Sequence, residues 1–205
     1  MANETFFSPS KLKALLDAHG GIAYNNKYMV TLNKPAGFDI LPGDQKMRQD
    51  LTMLCDTATL PTKSLATYEK SIYGPVKAMP YRMTFTEASM SFILTDSMRE
   101  KKYFDAWQNK IVDQKTGNIG FFDDYVCDIT IQKFGRTAVD TNESPKYAVK
   151  LLDAWPSIVS EIQLSHSGGT ESMKLPVTFQ FKKWEQVVDG GGGADGPSQQ
   201  SLRNP

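Results

Sequence analysis

Ser97-Met98-Arg99-Glu100-Lys101-Lys102-Tyr103-Phe104-Asp105-Ala106-Trp107-Gln108-Asn109-Lys110-Ile111 is the stretch that decides the fold, since mid-chain it alone carries both a helix start signal and helical periodicity. Ser97 to Glu100 has the spacing of a capping box, in which a hydroxyl accepts from the backbone N–H three residues on and the glutamate reaches back. At 100° per residue Tyr103, Phe104, Trp107 and Ile111 share one arc, and Lys101, Lys102, Asp105, Gln108 and Asn109 occupy the other. The stripe predicts a core-packed helix.

Around it the chain reads as sheet. Phe85 to Leu94 sets Ala88, Met90, Phe92 and Leu94 against Glu87, Ser89 and Ser91. Asp124 to Phe134 sets Tyr125, Cys127, Ile129 and Ile131 against Asp128, Thr130 and Gln132, and Leu175 to Phe181 alternates with Thr178, Gln180 and Lys182. Tyr28 to Leu32, a run from Leu51 that Pro61 closes with Leu51, Met53 and Cys55 on one face, Ser64 to Tyr73 and Tyr147 to Trp155 are further strand candidates, the last ending at Pro156. Ser8-Pro9 starts a short N-terminal helix with Leu12, Leu15 and Leu16 in one stripe, stopped by His19-Gly20-Gly21. Pro35 to Gln49 reads as a long inserted loop. The expected organisation is a helical extension over 1–25, a β domain over 26–187 and a flexible Gly/Ser/Gln/Pro tail over 188–205.

At 205 residues, one domain can bury a core without disulfides. With 23 basic and 23 acidic residues, no global field draws the chain to nucleic acid or an anionic membrane. Cys55 and Cys127 lack zinc or redox spacing, and no secretory signal or apolar run of about 18 residues is present. These features predict a soluble protein with reduced thiols, made in a cytoplasm. Neither His19 nor His166 has a ligand partner nearby in sequence. Gly191 to Gly196 fits G-x-G-x-x-G but leads into Pro197 and no helix, so it reads as linker. Asp123-Asp124 reads as a solvated turn. No catalytic, cofactor or metal site is expected.

Four stretches occur in a telling order: Cys55-Asp56-Thr57-Ala58-Thr59-Leu60-Pro61, Phe104-Asp105-Ala106-Trp107-Gln108, Ala154-Trp155-Pro156, and Phe179 to Glu185. Over roughly Asn26 to Glu185 the chain resembles the tail tube protein family of contractile-tailed bacteriophages, related in fold to the type VI secretion tube protein. The resemblance implies a mainly β (α+β) fold: an antiparallel β-barrel or sandwich flanked by the central helix. It also implies hexameric rings stacked into a virion tail tube, with sheath and baseplate proteins as partners, no membrane, and DNA passing without specific binding. A tube-initiating, baseplate-proximal ring is an alternative role, and a monomeric small-ligand-binding barrel is a more remote one.

A conduit should not hold phosphates, because each neutralised phosphate adds favourable counterion release and retards passage. Glu87, Ser89, Ser91, Asp128, Thr130, Gln132, Thr178 and Gln180, on the polar faces, are therefore the candidate lumen residues, with Lys182 the exception. Phe38, Ile40 and Leu41, between two Pro/Gly clusters, are the candidate ring-to-ring contact.

Overall fold

In a computed structural model the chain is described over residues 8–35, 40–71, 74–136, 145–164 and 172–187. The expected C-terminal tail, Phe38, His166 and the Gly191 to Gly196 run lie outside these residues. Alternating side chains build the framework. In β5 (Ala88–Ile93) Ala88, Met90 and Phe92 point inward, as do Cys127, Ile129 and Ile131 in β6 (Cys127–Lys133) and Leu175, Val177 and Phe179 in β8 (Lys174–Gln180). With β1 (Tyr28–Leu32), β2 (Cys55–Ala58), β7 (Tyr147–Val159) and β9 (Lys183–Val187) they form one seven-stranded antiparallel sheet, ordered β1-β6-β7-β8-β5-β2, with β9 also on β7.

β7 is the shared strand. Its first half pairs with β6 and β9, and its second half with β8. Between them Asp153 adopts φ 54°, and the register shifts between Pro156 and Ile158. The strand does not end at Pro156, because a bulge accommodates the missing N–H while the bend carries the chain from one half of the sheet to the other. The two halves fold toward each other as a sandwich around one core. The sheet does not close into a barrel. Between its edge strands β1 and β2 the Tyr28 hydroxyl donates to the Cys55 carbonyl at 3.2 Å.

Helix α3 (Arg99–Ile111) fills the space between the halves. Tyr103, Phe104 and Trp107 are fully buried and Ile111 nearly so. Phe104 meets Phe92 and Phe179 at ring distances of 5.2 and 6.1 Å, and the Trp107 indole N–H donates to the Tyr125 carbonyl at 2.9 Å. Burying each such side chain contributes about 1.5–3 kcal/mol, so this stripe dominates the attachment of helix to sheet. The start of α3 differs from the capping-box expectation. Met98, at φ 52°, is the N-cap, with no side-chain capping bond, and Ser97 does not cap the helix. The buried Glu100 carboxylate instead reaches back to Thr95, accepting from its N–H at 3.0 Å and its hydroxyl at 2.9 Å.

The expected loop and strand between Pro35 and Cys55 are replaced in part by a helix, α2 (Asp44–Leu54). Gly43 supplies the left-handed turn at φ 81° that starts it. Met47 and Leu51, one turn apart, are buried, while Met53 is 83% exposed. Of the strand expected from Leu51 to Pro61, the beginning is therefore helical, and Cys55–Ala58 alone forms a strand, β2. Ile40 is buried in the protomer core and Leu41 packs against it, so neither presents the open apolar surface expected of a ring-to-ring contact.

Candidate assembly surfaces

The polar candidates lie on the side of the sheet facing away from the core, in two groups. On the β5–β8 half, Ser89 pairs with Thr178, and Gln180 donates to the Glu87 carboxylate just beyond the β5 end. Ser91 continues this face. On the other half, Asp128, Thr130 and Gln132 alternate along β6, with Thr130 between Thr31 and Lys150. All eight are thus on one side of the sheet, but they do not form one cluster.

Lysines on or beside this outer surface face acids. Lys150 meets Asp128 at 2.7 Å, Lys174 meets Asp56 at 2.8 Å, Lys183 meets Glu185 at 2.6 Å, and Lys182, the expected exception, meets Asp153 at 3.6 Å. Exposed pairs of this kind contribute only about 0–1 kcal/mol to stability. Their larger effect is to cancel positive potential along the surface.

Two apolar surfaces not evident from periodicity stand open. The first is a hairpin of β3 (Lys63–Lys70) and β4 (Lys77–Phe85), a separate two-stranded sheet carrying exposed Leu65, Tyr68, Tyr81 and Met83. Strand β4 is obscured in the sequence by Pro80, which sits opposite Thr67 beside a register shift. The second surface follows α3. Val112 bridges Ile119, and beyond them Phe121 and Phe122 are exposed at the N-cap and first residue of the four-residue helix α4 (Phe122–Tyr125). Its sequence signal is the adjacent pair Phe121-Phe122, outside any periodic element. The N-terminal helix α1 (Pro9–Ala18) forms as expected, with the Ser8 hydroxyl accepting from the Lys11 N–H at 3.2 Å, but it buries none of its residues.

The thiols are shielded. Burial raises the Cys55 pKa from about 9 to about 11, and burial raises that of Cys127 further still. At pH 8 the native Cys55 should therefore react with a disulfide reagent roughly a hundredfold more slowly than after unfolding, and Cys127 more slowly again. Labelling kinetics with and without denaturant check this. Because the folded Cys55 pKa is raised, its contribution to stability is present below about pH 9 and is lost as pH rises through about 11. Among the described residues no group of His, Cys, Asp and Glu is placed to hold a metal ion, and no helix is long and apolar enough to cross a membrane.

An open, bent antiparallel sheet wrapped on one aromatic helix is a fold shared with chains of contractile injection systems. A chain from the PVC sheath-tube complex of an extracellular contractile injection system, in the extended state, matches with a TM-score of 0.57 at 14% identity, covering 89% of this chain and 99% of that one. A chain from the PVC sheath/tube terminator gives 0.55 at 12% identity, covering 82% and 97%. One from the anti-feeding prophage baseplate gives 0.54 at 9% identity, covering 81% and 95%. At these identities the likeness shows the fold. No curated protein matches the sequence. The phage tail tube protein family matches it over residues 23–187, and the chain belongs to that family.

Proposed function

We propose that this chain forms hexameric rings that stack into the inner tube of a contractile phage tail, and that DNA leaves the virion through their channel. The family match over residues 23–187 carries this reading. Two further features support it. The sheet has unpaired edges available to neighbouring subunits. The β3–β4 hairpin is a two-stranded element with exposed apolar side chains, marginal in isolation, and gains stability by packing on another copy. Sheath and baseplate proteins are the proposed partners outside and below the tube. An initiator ring beside the baseplate is the second reading, favoured by the likeness to the chain from the anti-feeding prophage baseplate.

The proposed role is passive. Ser89, Ser91, Thr178 and Gln180, with Glu87, offer a channel wall without an unbalanced cation, and the Lys150–Asp128 pair keeps the β6 region neutral. DNA is thereby repelled weakly or ignored, and no counterions are released to hold it. The test is to introduce unpaired charge. Tubes of Ser89→Lys/Thr178→Lys should retain double-stranded DNA at low salt and release it as salt rises, whereas wild-type tubes should not retain it. Equal retention by both would contradict the lumen assignment. Electron microscopy of the purified protein, with a tail nucleus supplied, tests assembly itself: six-fold rings or tubes are expected, and a monomer under all conditions would overturn the proposal.

A further inference from the structure

Helix α1 presents an apolar stripe that the described residues of its own protomer cover only in part. Leu12 and Leu15 are 52% and 57% exposed, Leu16 beside them is half-buried, and Lys13 flanks the stripe. Toward the other end of β6 lies a surface of matching character. Val112 and Ile119 are bridge partners and so share a face, which Phe121, extended at φ −66° and ψ 138°, continues. Ile119 and Phe121 are 72% and 83% exposed, and Asp123 and Asp124 follow directly in α4. Asp113 is already engaged with the Lys115 N–H and the Thr116 hydroxyl, each at 2.9 Å, which leaves Asp123 and Asp124 as the acidic rim.

The two surfaces sit at opposite ends of β6. Tyr28, to which α1 leads, pairs with Lys133 at one end, and α4 runs into Cys127 at the other. Seven strand residues separate those ends by about 23 Å, whereas α1 is about 15 Å long. Arg136 lies over the Tyr24 ring at 5.6 Å and holds the connection to α1 at the Lys133 end. The apolar stripe and its acceptor therefore lie toward opposite ends of β6 on one protomer, an arrangement suited to a head-to-tail contact that repeats without closing.

We propose that α1 of one copy docks on the Val112–Ile119–Phe121 surface of a second copy, with Leu12 and Leu15 on the apolar face and Lys13 toward Asp123 and Asp124. This rests on the tube reading and names one contact within it. Such a contact couples successive copies directionally, and its charged rim favours a single orientation.

Site-specific crosslinking tests it in the full-length chain with Cys55→Ser as background. Chains carrying Leu15→Cys are mixed with size-tagged chains carrying Phe121→Cys and oxidised. A mixed disulfide dimer is expected, together with a loss of assembled material of at least about tenfold for Leu15→Asp or Phe121→Asp at unchanged melting temperature. Wild-type tubes with no mixed crosslink and full assembly of both Asp variants would overturn the contact and leave the tube reading standing. A mixed crosslink in protein that forms neither rings nor tubes would support the contact and overturn the tube reading. A disulfide formed only within one chain carrying both cysteines would place α1 back on its own protomer and overturn the contact, and absence of both crosslink and assembly would overturn both.

Discussion

Trp107→Ala should cost the protomer about 3–5 kcal/mol, the range for deleting a buried aromatic side chain. The indole is fully buried, contacts Tyr103 and Phe179 at ring distances of 6.1 and 6.4 Å, and supplies the N–H that satisfies the Tyr125 carbonyl. Truncation leaves a cavity between helix and sheet and a carbonyl without its donor. For a domain of this size, melting should fall by roughly 6–20 °C. Lys101→Ala on the solvent side of the same helix removes only the ion pair to Asp105 and should cost less than about 1 kcal/mol. Denaturant melts of the two variants check both values, and a loss below about 1 kcal/mol for Trp107→Ala would mean that α3 is not the centre of the core.

Arg48→Ala should be the next most damaging change, at about 2–4 kcal/mol. Asp44 is 3% exposed, and its carboxylate lies 3.1 Å from the Arg48 Nε, one turn along α2. Removing the guanidinium leaves a buried carboxylate without its counter-charge, a loss that reaches about 3–5 kcal/mol when both partners are fully buried. The Arg48 side chain keeps 18% exposure, which lowers the expected cost. Tyr103 is held against this pair: burial first, and then the Asp44 charge, push its phenol pKa far up, so the hydroxyl stays neutral. The ion pair thus lies where α2 meets α3. Replacing both charges, as Asp44→Leu/Arg48→Met, should cost less than Arg48→Ala alone, because no orphaned charge remains. Urea titrations of the single and double variants give the comparison.

The parts legible in the sequence are those where one physical signal acts alone. β5, β6 and β8 each have a buried and a solvated face, so period two is explicit, and α3 carries an uninterrupted aromatic stripe. Signals conflict elsewhere. In α2 the Pro/Gly cluster before Asp44 resembles loop, while Leu51, Met53 and Cys55 imitate a strand, and only Met47 with Leu51 marks the helical face. Pro80 and Pro156 argue against strand locally, yet register shifts absorb them in β4 and β7. β9 is short, with Lys183, Glu185 and Gln186 exposed, and it is defined by backbone pairing with β7 more than by burial.

For the candidate assembly surfaces the sequence supplied the alternation of polar side chains but not their distribution over two halves of one sheet, because β7 joins those halves through a bend at Asp153. The acid partners of the lysines were also hidden. Lys150 and Asp128 are 22 positions apart and meet only through antiparallel pairing of β6 and β7. The family resemblance supplied the tube hypothesis, which periodicity alone does not distinguish from a monomeric sheet with one wet face.

A three-dimensional reconstruction of the assembled tail is the most direct test. Six copies of this chain per ring are expected, repeated along the tube, with Ser89, Thr178 and Gln180 facing the channel. Density for the chain in only one or two rings beside the baseplate would replace the main-tube role with that of an initiator, and its absence from every ring around the channel would contradict the tube account altogether.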